Sequence, residues 1–74
     1  MDRITHSRVT LRAQAVSGLF TSGLYVSAER RNGYTGLDLC DPHGTVRTLT
    51  VGTSREVYTY LGAMLETLTI IGRA

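Results

Sequence analysis

The dipeptide Asn32-Gly33 stands between two short segments of alternating character, and that arrangement restricts the possible folds more than any other feature of the chain. From Leu24 to Arg31, Leu24, Val26 and Ala28 alternate with Tyr25, Ser27 and Glu29, the period-two pattern of a half-buried strand. Asn-Gly favours a two-residue type I′ hairpin because both central positions of that turn need positive φ. Such a turn pairs Ala28 with Leu37 and Val26 with Leu39, so both strands present apolar side chains on one face.

Asp41-Pro42-His43-Gly44 marks a second turn, with Pro at the second position and Gly at the fourth, as in a type I turn closed by a glycine bulge. That reading sets Leu37 opposite Leu49. A plain loop would set Asp38 opposite Arg47 and turn Leu49 and Val51 away from the core. Two buried aliphatic side chains at about 25 cal/mol per Å2 outweigh one exposed ion pair, so the bulged register is expected. Thr53 and Glu56 then form a Thr-x-x-Glu capping box. The helix it opens carries Val57, Leu61, Met64, Leu65 and Leu68 as one apolar stripe and ends at Gly72. At about 1.5 Å per residue it is long enough to cover the sheet from edge to edge.

Upstream, Val9, Leu11, Ala13 and Ala15 alternate with Arg8, Thr10, Arg12 and Gln14, which reads as a further strand joined by a Ser17–Gly23 loop. Met1 to Thr5 read as a loose terminus. The expected architecture is a single α+β domain: a three- to four-stranded antiparallel meander (about 8–16, 24–31, 34–40 and 45–51) with one C-terminal helix (about 54–71) on one face, in the order β-β-β-β-α.

With 74 residues, such a chain buries a thin core, expected to supply no more than about 3 to 5 kcal/mol without help. One cysteine, Cys40, cannot form an internal bridge, so association with another chain is the expected source of extra stability. The N-terminal stretch lacks the order of a signal peptide, and no apolar run approaches the roughly 18 residues of a membrane span. A cytoplasmic location is expected. The formal charge is +2, with eight arginines and no lysine spread against six acids, so there is no basic block.

Chemistry is sparse. His43 sits in a turn where Asp41 bonds its own backbone, and His6 has no ligand partner at metal spacing. Cys40 has no oriented base or cation. Ser54 opens a helix that the capping box already explains, and the glycines lack the spacing of a nucleotide-binding loop. No catalytic, cofactor or metal site is expected, and the chain reads as a non-enzyme.

A three-stranded sheet followed by a helix, with Asp41-Pro42, Val51-Gly52-Thr53, Glu56 and Tyr60, resembles the plant ethylene-response-factor DNA-binding domain and the amino-terminal domains of phage integrases. The resemblance is topological and covers residues 24 to 71. It implies a sheet laid on DNA, as in a small transcriptional regulator or recombination accessory factor. The expected outer face, however, shows Tyr25, Ser27, Glu29, Tyr34, Asp38, Val46, Thr48 and Thr50, so acids would meet phosphates. Only Arg8, Arg12, Arg30 and Arg31 could compensate, which implies weak, salt-sensitive binding.

The helix bears the more unusual signal. Between Val57 and Gly72 its only charge is Glu66, and Tyr58, Tyr60, Gly62, Ala63, Ile70 and Ile71 remain once the core stripe is assigned. Tyr58, Gly62, Ala63 and Ile70 are therefore the expected homodimer interface, with Gly62 permitting close approach. The leading functional expectation is a protein-binding module whose partner is a protein or nucleoprotein complex. Its size and simplicity are those of phage and mobile-element inhibitors of host nucleic-acid machines, including anti-CRISPR proteins. Its candidate contacts are Arg8, Arg12, Leu19, Phe20, Tyr25, Arg30, Arg31 and Tyr34.

Overall fold

The computed structural model describes residues 4–20 and 23–73. Element order is α1 (His6–Ser17), β1 (Tyr25–Arg31), β2 (Tyr34–Asp41), β3 (Gly44–Gly52) and α2 (Ser54–Arg73), with the strands in the antiparallel order β1-β2-β3. The fold is α+β, as expected, but with three strands and two helices.

The expected strand at Arg8–Val16 is helix α1. Val9, Ala13 and Val16, spaced i, i+4 and i+7, are its buried face. Leu11, which the alternating reading placed beside Val9, points away and is 65% exposed. Alanine, glutamine and arginine favour a helix, and Thr5 caps it by accepting the Arg8 amide on Oγ1 at 3.3 Å. Ile4 and Thr5 thus belong to the folded body, Ile4 packing against the core; residues 1–3 of the expected loose terminus lie outside the described residues. Ser17 closes α1 instead of starting a loop. Its Oγ donates to the Ala13 carbonyl at 2.8 Å and accepts the Val26 amide at 3.0 Å, tying the helix end to β1. Of the expected loop, residues 21 and 22 lie outside the described residues.

The first hairpin has the expected register, Ala28 with Leu37 and Val26 with Leu39. Its turn differs: only Gly33 takes a positive φ (74°), while Asn32 stays negative, the sign pattern of a type II turn. The second hairpin begins in the plain register, Asp41 with Gly44 and Cys40 with Thr45, then shifts twice. Val46 and Leu49 are the unpaired residues of β3. Leu39 meets Arg47 and Asp38 meets Thr48 as in the bulged reading, but Leu37 meets Thr50, not Leu49, and Cys40 meets Thr45, not Val46. Spreading the shift over two bulges lets Leu49 reach the core from an unpaired position. Val51, expected inside, is half exposed opposite Gly36.

The capping box of α2 is present: the Thr53 amide donates to Glu56 Oε1 at 2.9 Å and the Glu56 amide to Thr53 Oγ1 at 3.1 Å. The helix runs one residue past Gly72. Val57 and Leu61 are fully buried, with Met64, Leu65 and Leu68 packed around them. Contrary to expectation, α2 does not cover the sheet alone. It shares the layer with α1, which packs on β1 while α2 leans on β2 and β3. The core joins Val9, Ala13 and Val16 to Val26, Leu37, Val57 and Leu61.

Candidate functional site

Both helices lie on one side of the sheet, and among the described residues no element covers the other side. That open face carries Tyr25, Ser27, Glu29 and Arg31 from β1 opposite Cys40, Asp38, Gly36 and Tyr34 from β2. Arg31 lies across it. Its Nη2 reaches Glu29 Oε2 at 3.4 Å and Asp38 Oδ2 at 3.3 Å. Thr48 on β3 donates to Asp38 Oδ1 at 2.9 Å, so both oxygens of this buried carboxylate are bonded. Gly36 makes room for the arrangement, since a Cβ there would stand 3.0 Å from Arg31 Cζ. The Glu29 hydrogen bond, with Glu29 and Asp38 charges and the Tyr34 hydroxyl, overcomes desolvation and holds the guanidinium pKa above its ordinary value. Tyr25, Tyr34 and Val51 stand half exposed around this network.

The helical layer has its own arginine site. Arg12 on α1 lies 3.6 Å from the Tyr58 ring centroid, donates from Nη1 to the Tyr58 carbonyl at 3.4 Å, and occupies the space above Gly62. Arg8 lies 5.4 Å from the same ring. The guanidinium so placed interacts with the negative π face of tyrosine. Beyond it runs a shallow groove of about 460 Å3 lined by Arg12, Gly62, Leu65, Glu66, Thr69 and Ile70.

At the end of the molecule where the N-termini of both helices meet, two recesses of about 200 and 410 Å3 share Arg30 and Ser54. Thr5 and His6 line the larger recess, and Arg31, Tyr34, Thr35 and Thr53 line parts of the smaller. His6 Nδ1 is buried there without a hydrogen-bond partner.

The eight expected partner contacts therefore do not form one surface. Tyr25, Arg31 and Tyr34 share the open sheet face; Arg8 and Arg12 flank α2; Arg30 marks the shared helix N-terminal end. Leu19 is exposed and Phe20 packs against the core. Of the expected dimer residues, Tyr58 and Gly62 face Arg12, while Ala63 and Ile70 are exposed. The Glu29–Arg31–Asp38–Thr48 network was not anticipated, although the hairpin register alone puts Ser27 beside Asp38 and Glu29 two residues from Arg31. The expected outer face already holds Asp38 and Thr48 together; what no local pattern shows is Arg31 lying over Gly36 to reach both carboxylates.

Cys40 is buried, its sulfur 4.0 Å from the Asp38 carbonyl, and the His43 amide donates to Asp41 Oδ1 at 2.8 Å in the turn. Among the described residues no three His, Cys, Asp or Glu side chains gather as a metal site. No described helix is long and apolar enough to cross a membrane. Searches against family models, curated proteins and solved structures returned no match to this chain.

Proposed function

We propose that the chain is a non-enzymatic protein-binding module, a small inhibitor of the phage or mobile-element kind, that meets its partner with the open face of the sheet and acts as a homodimer joined through its helical layer. The observation supporting the sheet-face reading is the combination on that face of half-exposed Tyr25, Tyr34 and Val51 with an arginine and two carboxylates already paired within the chain. Tyrosines supply large contact area at low entropic cost, and a polar network already satisfied in cis adds little desolvation penalty on association. Duplex DNA is the poorer occupant. It would meet Glu29, and the arginine at the centre of the face is held by two carboxylates.

The test is affinity capture from cells containing the natural neighbours, with the parent protein beside Tyr25→Ala/Tyr34→Ala. One assembly retained by the parent and lost by the folded double variant supports the reading. Retention of that assembly by both, or salt-sensitive binding of random duplex by the parent, overturns it.

A further inference from the structure

The groove on the helical layer holds a cation and an anion that the chain leaves unpaired with each other. Among the described residues Arg12, bound to the Tyr58 ring and carbonyl, meets no carboxylate, and Glu66, one turn beyond Gly62 on α2, has no ion-pair partner. Between and beside them lie Leu65 and Ile70, the latter 62% exposed. A surface carrying both signs, a small residue and an apolar knob is self-complementary under a twofold axis, where each contact made by one copy is returned by the other.

We propose that this groove receives a second copy of the chain, α2 against α2 in antiparallel orientation about an axis near Met64. Residues whose numbers mirror across that axis then meet. Gly62 of one copy lies opposite Glu66 of the other, which sets Glu66 against the Arg12 that covers Gly62. Ile70 reaches the neighbourhood of Tyr58 in the second copy. Arg12 keeps its ring contact, because the stack engages one face of the guanidinium and leaves in-plane N–H donors for a carboxylate. Ala63 and Ile70, two of the apolar side chains left outside the monomer core, enter the same interface. This pairing rests on the homodimer in the proposed function and not on the sheet-face contact.

Charge inversion tests it directly. Glu66→Arg and Arg12→Glu are made separately, and association is followed by sedimentation. Each variant by itself sets like charges against each other and is expected to dimerise about tenfold more weakly or worse than the parent. Mixed in equal amounts, the two variants restore both ion pairs and form a heterodimer at parental strength: the guanidinium introduced at position 66 of one chain meets the carboxylate introduced at position 12 of the other, and the unaltered Arg12 and Glu66 meet across the axis. Circular dichroism checks that each variant is folded; if Arg12→Glu is not, Glu66→Arg is paired with Arg12→Gln, which removes the repulsion and is expected to recover part of the affinity. A parent that stays monomeric up to about 1 mM, or an unchanged association of Glu66→Arg, overturns the proposal. Tyr25→Ala/Tyr34→Ala must leave the dimer mass unchanged, so loss of capture with an intact dimer implicates the sheet face alone.

Discussion

Two glycines lie beneath arginines, and each decides where a charge is held. Gly36 sets Arg31 over the sheet, and Gly62 sets Arg12 over α2, where a Cβ would come within 2.7 Å of Nη1. Because that atom is the end of a flexible side chain, Gly62→Ala is expected to be nearly neutral. The gain of about 1 kcal/mol in helix propensity offsets about 0.5 to 1 kcal/mol lost from the ring contact. Urea unfolding should change little, while the ring-current shift of the Arg12 side-chain protons should disappear. Asp38 offers a sharper case. Thr48→Val removes the 2.9 Å donor from a buried carboxylate and should lower stability by about 1 to 3 kcal/mol, whereas Thr45→Val, at an exposed position, should stay within about 0.5 kcal/mol. Glu56 gives a pH signature. Hydrogen bonds from Thr53, first its backbone amide, hold its carboxyl below the ordinary range. A depressed folded pKa means the stabilisation is complete above about pH 4.5 and is lost as pH falls through the folded value. Glu56→Gln should therefore make the acid limb of thermal unfolding shallower and leave its neutral-pH slope unchanged.

The helices are where local pattern met competing periods. Val9, Ala13 and Val16 fit a helix, Val9, Leu11, Ala13 and Ala15 fit a strand, and alanines serve either on burial alone. What separates the readings is backbone preference together with the Thr5 cap, which satisfies an amide of the first turn without any distant contact. Gln14→Pro tests this element: in the interior of α1 it should cost about 3 kcal/mol or more and lower the melting temperature by well over 10 °C, whereas an edge strand would accept it. The capping box and the stripe at Val57 and Leu61 were legible because an N-cap and a long periodic segment agree. In the second hairpin the turn residues named the turn but not the strand beyond it. Two bulges in β3 answer to the packing of Leu37 and Leu49 against the helices, which no local sequence records.

Taken whole, the chain is a flat two-layer body of 36 × 31 × 16 Å. Its central strand is covered on both sides, by the helices and by its own polar network, while the first half of β3 and the last turns of α2 are exposed. Amide exchange should follow that gradient, slowest from Thr35 to Cys40 and fastest at 44–47 and 69–71; on dimerisation protection should spread along α2 toward Ile70. Leu61→Ala, at the junction of both helices and the sheet, should cost about 2 to 5 kcal/mol, enough to unfold a domain with so small a core. Leu61 was identifiable from spacing alone, but its partner Val9 was not, because nothing local announces that a second helix will share the layer.

The first hairpin and its register, the cap and buried stripe of α2, and the α+β class were all written in the amino-acid order, since each rests on interactions within a few residues of one another. That a second helix shares the layer with α2, that β3 bulges twice, and that Arg12 settles over Gly62 emerged only with the packed molecule. Those outcomes depend on contacts between residues far apart in the chain, whose energies exceed the small local preferences they override.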